Sequence, residues 1–556
     1  MSIDHPVARG YVSSTRRVTG LACWTLAMLV AASACTAFAQ QQPLRVTIAA
    51  INDFHGNLEP STESMTVGGA NVRAGGIARI ATLVARLRAR SPHFAFVSAG
   101  DLFGASPLLA ASFDEEPVIE AMNLAGLDFN GVGNHEFDRG AAHLERMQRG
   151  GCPAGGCRSG ASFGGARFGM LAANVIARDT GKPLFPPYGI RDYGGVKVAF
   201  IGVTLRETPV MLSPAARAGL EFRDEVEAVN ALVPGLRRQG VEAIVVLLHQ
   251  GGVTAGGANE CVEPAGPVVD IARRLDPAVD VVVSAHTHRA YVCNLGGKLV
   301  TSAGSYGRFL TEIELAIDPV SRDVLSASAT NHLVAPEIAP DAAQADLLAR
   351  YASLAQGLER TVGRLASPVS RRMNADGESP LGQLIADAHL AATAPAGAVV
   401  AFMNPGGIRA SLEGGDGGRV SYADVYSVYP FGNTLVTVTL SGAQILGLLE
   451  RQWQAPEQSV LQVSRGFTYA WDPALPAGSR IVPGSVVIHG QPMRLDASYR
   501  VTVNSFLAGG GDGLAVLREG SDRVNGADAR EALIRYIGER SPVTPSGERR
   551  IRNAGR

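Results

Sequence analysis

The sequence predicts a two-domain α/β protein: an N-terminal layered β-sandwich flanked by helices, then a smaller C-terminal α/β unit. Three observations lead there. The chain has 556 residues, too many for one hydrophobic core. From Leu44 to about Ala335, continuous apolar runs rich in β-branched residues, "LRVTIAAI", "HFAFVSAG", "KVAFIGVT", "EAIVVLLHQ" and "DVVVSAHTH", alternate with helical patterns, as expected of sheets covered on both faces. The stretch from Pro336 to Leu365 then changes character, and a second mixed α/β pattern follows it.

The first element is residues 1–39, which read as a secretory leader. "TRRVTG" is a basic stretch, "LACWTLAMLVAASA" an apolar core, and "AFA" before Gln40 a small-residue cleavage site, so cleavage is expected after Ala39. Two alternatives stand beside it: lipid attachment at Cys35 of "ASAC", and twin-arginine export through Arg16 and Arg17. No later run reaches the roughly 20 apolar residues of a membrane-spanning helix, so a soluble exported protein, periplasmic or secreted, is expected. Removal of the leader leaves Cys152, Cys157, Cys261 and Cys293. An oxidising compartment favours two disulfides, and proximity in sequence suggests Cys152 with Cys157 and Cys261 with Cys293. A four-thiolate zinc site is the alternative, although no C-x-x-C pair is present.

Residues 44–335 form the expected first domain. All its apolar runs except "KVAFIGVT" lead into clusters bearing Asp or His, and sites in layered α/β domains gather at the carboxyl ends of strands. Residues 336–362 are expected to be a linker helix: Pro336 and Pro340 open it, and Leu347, Leu348, Tyr351, Leu354 and Leu358 recur at helical spacing. Residues 363–556 then form the second domain, with a helix in "ESPLGQLIADAHLAAT" and strands in "TLVTVTL" and "YRVTVNSF".

Composition narrows the function. The 50 Lys and Arg nearly balance the 51 Asp and Glu, so no basic field argues for nucleic acid and the partner is expected to be a small molecule. Five polar clusters then carry the chemistry: "NDFHG" with Asp53 and His55, "SAGD" with Asp101, "GVGNHEFDRG" with Asn134, His135, Glu136 and Asp138, "LLHQGG" with His249, and "SAHTH" with His286 and His288. Each alone reads equally as a solvated turn or a satisfied buried histidine; together they do not. In extended backbone, residues i and i+2 project to one side, so Asp53 with His55 and His286 with His288 each aim two ligands at a point. Mixed carboxylate, imidazole and amide donors suit borderline divalent ions, and the set is too large for one. Two ions about 3.5–4 Å apart would activate water and clamp an in-line phosphoryl displacement. Asn134 fits such a site because its neutral oxygen ligates without adding charge beside a phosphate.

These ordered motifs resemble those of the calcineurin-like metallophosphoesterases, and the second domain resembles that of the secreted 5′-nucleotidase and UDP-sugar hydrolase branch, over essentially the whole chain from Leu44. The resemblance implies a metallophosphoesterase catalytic domain followed by a 5′-nucleotidase-type substrate-binding domain. It implies that Asp53, His55, Asp101 and His288 hold one metal ion and Asp101, Asn134, His249 and His286 the other, with Asp101 bridging. The two divalent ions would be zinc, manganese, cobalt, iron or magnesium. It makes His135 the catalytic histidine, oriented by Asp138, with Glu136 a structural partner. "SAHTH" departs from the family pattern by having Ala285 where glycine is usual. Alanine tolerates positive φ poorly, so a slight shift of this loop is expected.

In the second domain, Phe431 of "YPFGNTL" and Phe506 of "NSFLAGGGDG" stand beside Gly- and Asn-rich loops rather than within apolar strands. Two such rings can sandwich a nucleobase, worth roughly 1–3 kcal/mol per base, and the resemblance places a base clamp on them. It also assigns Asn404, Gly407 and Arg409 of "NPGGIR" to ribose and phosphate, and Asp512 to ribose hydroxyls. A further phosphate contact falls on Arg371 or Arg372, between which the spacing does not choose. It implies rotation of the second domain about the helix near Asp341 to Arg360, and hydrolysis of nucleoside 5′-monophosphates, with nucleotide sugars and nucleoside di- and triphosphates as further substrates. A 2′,3′-cyclic-nucleotide phosphodiesterase with 3′-nucleotidase activity and a catalytically silent nucleotide-binding protein are the alternatives. A sulfur-compound hydrolase would have no use for the two phenylalanine loops.

Overall fold

A computed structural model of the chain describes residues 42–555, apart from 62–63, 68–69, 154, 356–359 and 454–458. The leader, its cleavage after Ala39 and Cys35 lie outside the described residues. From Leu44 onward the described residues pack as one unit.

Two six-stranded sheets face each other in the N-terminal half. One runs, in spatial order, Val324–Leu333, Phe309–Ile317, Leu44–Ile51, Phe94–Ser98, Phe129–Gly131, Gly169–Leu171; the other runs Ala290–Leu295, Lys298–Ala303, Val281–Ser284, Ala243–His249, Val196–Thr204, Tyr188–Tyr193. All five apolar runs form strands. Their side chains alternate between two apolar environments, as strand geometry requires. Ala243, Val245 and Leu247 point into the core between the sheets with Val46, Ile48, Val97 and Phe200, whereas Ile244, Val246 and Leu248 pack under the helices Glu225–Arg238 and Pro267–Arg274. Helices Ile77–Arg90 and Glu116–Ala125 cover the first sheet in the same way, over Ala49, Ile51 and Phe96. Both cysteine pairs expected from proximity are disulfides, Cys152 with Cys157 and Cys261 with Cys293, so no four-thiolate site forms from them.

The linker helix is shorter than residues 336–362. It spans Ala342–Leu354, opened by Asp341, whose side chain accepts from the Gln344 N–H. Thr361–Arg364 is instead a strand paired with Arg419–Ser421, as β-branched Thr361 and Val362 favour. The helix is also no free connector: Leu347 and Tyr351 belong to the N-terminal apolar core, and Gln344 donates to the Ala121 carbonyl at 2.8 Å.

The C-terminal half is built on a five-stranded sheet ordered Gln462–Val463, Val400–Met403, Ser498–Asn504, Thr434–Ser441, Ser521–Asp528. Helices Pro380–Thr393 and Ala529–Glu539 pack on one face and Gly442–Arg451 on the other. Among the described residues, no helix is long and apolar enough to cross a membrane.

Candidate active site

Four strands deliver the polar clusters to one end of the two sheets: Leu44–Ile51 leads to Asp53 and His55, Phe94–Ser98 to Asp101, Phe129–Gly131 to Asn134 and His135, and Val281–Ser284 to His286 and His288, while His249 closes Ala243–His249. The backbone there is not extended, contrary to the i, i+2 expectation. Asp53, His55, Asp101, His286 and His288 have φ of 48°, 47°, 52°, 71° and 57°. Each sits in the left-handed region, where non-glycine residues cost about 1–3 kcal/mol and persist only when the surroundings fix them. Convergence comes from tight turns rather than from strand alternation. Ala285 is not among the left-handed residues; it is fully buried in the inter-sheet core, so the expected loop shift has no cause.

Two glycines let these turns approach. A Cβ at Gly133 would stand 2.3 Å from Asp101 Oδ1, and one at Gly100 would stand 2.7 Å from His249 Nδ1.

All seven residues expected to ligate metal converge. His55 Nε2 lies 3.5 Å from Asp101 Oδ2 and 3.2 Å from His288 Nε2, and His288 Nε2 lies 3.4 Å from Asp53 Oδ1. His249 Nε2 is 3.1 Å from Asp101 Oδ2 and 3.0 Å from Asn134 Oδ1, which is 3.1 Å from His286 Nδ1. Asp101 Oδ2 thus stands between His55 and His249. Ligand atoms of Asp53, His55 and His288 lie within 4.8 Å of one another, as do those of Asp53, Asp101 and His249, and those of His55, Asp101 and His135. This buried set of carboxylate, imidazole and amide donors fits divalent cations of borderline softness.

The imidazoles are held in orientation from behind. His55 Nδ1 donates to the Gly104 carbonyl and His249 Nδ1 to the Ala99 carbonyl, both at 2.8 Å, which leaves each Nε2 facing the cluster. Burial keeps His55 well below the ordinary histidine range, with the Arg409 charge adding to it, and burial with the His249 charge brings His286 down to about 3. Burial would raise Asp53, but the charge and hydrogen bond of His288 and the charge of His249 hold it at about 2.

His135 and Asp138 form a pair, Nδ1 to Oδ2 at 2.8 Å. Burial opposes protonation of His135, yet the charges of Asp138 and Asp101 raise it above the ordinary value. Glu136 is a brace: its carboxylate accepts from the backbone N–H groups of Asp101 at 3.0 Å, Leu102 at 2.8 Å and Gly133 at 3.0 Å.

From the C-terminal half, Arg409 Nη2 donates to His55 Nε2 at 3.1 Å, and the Phe431 ring lies stacked against His135, centroids 6.2 Å apart. Asn404 and Asp512 meet each other, Nδ2 to Oδ2 at 2.9 Å, and Asn504 holds Asn404 from the other side at 3.0 Å. A Cβ at Gly407 would stand 2.5 Å from Met403 Cε. Half-buried Phe506 packs on the turn at Gly511, where a Cβ would meet its ring at 2.4 Å. Arg371 Nη1 reaches the Ile408 carbonyl at 3.3 Å, beside Arg409, whereas Arg372 is exposed.

Two further residues shape the cluster. Asn52 donates to Asp53 Oδ2 at 2.7 Å and to the Gly304 carbonyl at 2.7 Å, fixing the carboxylate. Tyr306, at φ 62°, sets its ring 5.3 Å from His288 and 5.8 Å from His55. Asn52 stands beside Asp53 in "NDFHG"; an aromatic residue in the glycine-flanked "GSYGR" was the signal for Tyr306.

The sequence compares as this geometry suggests. Residues 46–290 match the calcineurin-like phosphoesterase family and residues 359–519 the 5′-nucleotidase C-terminal domain. A 5′-nucleotidase precursor from Thermus thermophilus superposes with a TM-score of 0.77 at 32% identity, over 92% of this chain and 99% of that one. The endonuclease YhcR of Bacillus subtilis is 32% identical over 93% of this chain, which spans 41% of that protein. The 5′-nucleotidase of Vibrio cholerae serotype O1 is 28% identical over 93% of this chain and 96% of its own length.

Proposed function

Because the chain belongs to the 5′-nucleotidase family of calcineurin-like metallophosphoesterases, phosphoric monoester hydrolases that use divalent metal ions, we propose that it releases phosphate from nucleoside 5′-monophosphates outside the cytoplasm. The observation that carries this reading is the meeting of the two halves: Arg409 reaches His55 and Phe431 reaches His135, so a cation that can pair with phosphate and a ring that can stack a base stand beside neighbouring histidines.

On this reading Asp53, His55, Asp101 and His288 hold one ion, and Asp101, Asn134, His249 and His286 the other. Two ions so held would supply an activated water and offset phosphoryl charge. Asp101 suits the shared position because its Oδ2 faces both His55 and His249. His135, whose Nδ1–H is engaged by Asp138, presents Nε2 to the leaving oxygen and delivers a proton there. Arg409, joined by Arg371, offsets charge on the phosphoryl oxygens. Phe431 and Phe506 stack the base, and Asn404, Gly407 and Asp512 form the ribose-facing wall. Because the Ala342–Leu354 helix is docked on the N-terminal core, it belongs with that half in a rotation of the substrate domain. The disulfides and the expected leader support export.

The test is phosphate release from 5′-AMP, 3′-AMP and 2′,3′-cyclic AMP by protein stripped with chelator and reloaded with manganese, zinc, cobalt or magnesium. Metal-restored release from 5′-AMP, with two ions bound per chain, is the expected result. Preference for 3′-AMP and the cyclic nucleotide would replace the substrate assignment; two bound ions with no release from any of the three would refute it.

A further inference from the structure

Tyr306 is fixed to the N-terminal half from several sides. Its backbone N–H donates to the Asp53 carbonyl at 2.7 Å, its ring packs against His288 and His55, and the Arg308 guanidinium lies over that ring at 5.2 Å. Its φ of 62° is strained for a bulky side chain and persists because these contacts hold it. The hydroxyl, however, reaches across to the C-terminal half. It donates to the Arg409 carbonyl at 3.4 Å, the long end for a hydroxyl donor.

Arg409 stands on "NPGGIR", whose last two residues lie outside helix and sheet. Its backbone is held by other means: its N–H donates to the Val428 carbonyl at 2.8 Å, and two consecutive carbonyls are gripped, that of Ile408 by Arg371 Nη1 at 3.3 Å and its own by Tyr306. The guanidinium makes the second contact across the halves, Nη2 to His55 Nε2 at 3.1 Å. Among the described residues, its buried Nε finds no partner. On the reading above His55 Nε2 ligates an ion, and a ring nitrogen so engaged has no lone pair left to accept from Arg409. The guanidinium contact is then exchanged for phosphoryl oxygens, whereas the tyrosine contact, made to the backbone, is kept.

We propose that Tyr306 is a positioning residue for the hydrolysis: its hydroxyl, carried on the N-terminal half, fixes the backbone of Arg409 so that the guanidinium of the other half is aimed at the phosphoryl group when the two halves meet. The proposal rests on the assignment of Arg409 to the phosphoryl oxygens given above. Tyr306 acts through Arg409 and not through the stacking rings, so its effect is the same whatever group the phosphate carries.

The experiment is a double-mutant cycle of Tyr306→Phe and Arg409→Ala, read on 5′-AMP and on p-nitrophenyl phosphate with the same metal. Phenylalanine keeps the ring against both histidines and removes only the hydroxyl. The expected result for Tyr306→Phe alone is a fall in kcat/KM of about three- to fivefold on both substrates, carried by kcat. Added to Arg409→Ala, it should cost no more than about 1.5-fold; where Arg409→Ala leaves too little activity to measure, Arg409→Lys takes its place. Zinc affinity of stripped Tyr306→Phe should stay within about twofold of wild type, which shows that the turns around the cluster are intact. Unchanged kcat/KM in Tyr306→Phe overturns the proposal, as does an equal loss in both backgrounds, which would place the effect of the hydroxyl elsewhere than at Arg409. Weakened zinc binding in Tyr306→Phe also overturns it, since the residue would then act through His55 and His288. Hydrolysis of p-nitrophenyl phosphate but not of 5′-AMP by wild type strikes the nucleotidase reading, and the cycle on p-nitrophenyl phosphate still decides the role of Tyr306; hydrolysis of neither overturns both.

Discussion

The turns of the N-terminal half and the loops of the C-terminal half fix their polar side chains by different means. Asp53, His55, Asp101 and His249 are at most 1% exposed, are carried on or just beyond strand ends, and are aimed by backbone carbonyls and by the Glu136 and Asn52 brackets. Arg409, Phe431 and Phe506 are half-buried on glycine-rich segments, and Asp512 is steadied by Asn404, which alone of this group is tied to a strand end through Asn504. Rigid placement thus coincides with the groups proposed for the chemical step, and adjustable placement with those proposed to choose the substrate.

The largest effects are expected where that rigidity holds reacting groups. Asp101→Ala and His135→Asn should each lower kcat/KM for 5′-AMP about 100- to 10,000-fold, measured by phosphate release; a loss below tenfold in both would erase the distinction between the two regions. Glu136→Ala keeps every proposed ligand but removes the bracket on Asp101, Leu102 and Gly133. It should weaken metal binding about 10- to 100-fold, read by titrating stripped protein with zinc, and unchanged affinity would mean that the turns hold themselves. Phe431→Ala and Phe506→Ala test the adjustable side. Each should raise KM roughly tenfold with kcat little changed, and a fall in kcat alone would move these rings into the chemical step.

The smallest effect sits at the opposite end of the same sheet. Asp280 precedes the strand that leads to His286 and His288, and it accepts from the Ile244 N–H at 2.8 Å. Burial pushes its carboxyl up to about 7. The folded state therefore keeps a proton that the unfolded chain loses near pH 4, and stability is lost as pH rises from there through about 7. Asp280→Asn should raise the melting temperature by about 1–3 °C at pH 8, leave it unchanged at pH 4, and leave activity intact at both. Altered turnover would show that the two ends of the sheet are not separable.

Much of this was legible in the sequence alone. Short continuous runs rich in β-branched residues read as strands buried on both faces, and clustered Asp and His at their ends have few structural uses, so the layered half and its polar set followed from pattern. The left-handed turns did not, because nothing in "DFH" or "HTH" distinguishes an extended Asp or His from one at positive φ; tertiary contacts decide it. The Ala285 concern failed for the same reason. The helical spacing ended at Leu358, outside the described residues, and the expected helix was carried on to residue 362, but pairing with Arg419–Ser421, a partner far along the chain, makes Thr361–Arg364 a strand. Tyr306 escaped notice since one tyrosine among glycines is ordinary in a turn, and only its packing on two histidines gives it meaning. That Arg371 lies beside Arg409 while Arg372 is exposed likewise depends on the Ile408 carbonyl, a contact no spacing encodes.

The five left-handed Asp and His residues have a consequence for laboratory evolution. Glycine at any of them would relax the backbone by about 1–3 kcal/mol while deleting a donor from the cluster. At positions 53, 55 and 101 that relief is set against buried partners left unpaired, the Asn52 amide and His286 N–H, the Gly104 carbonyl and the His135 N–H, so a library screened for heat resistance alone should gain its robustness away from these turns.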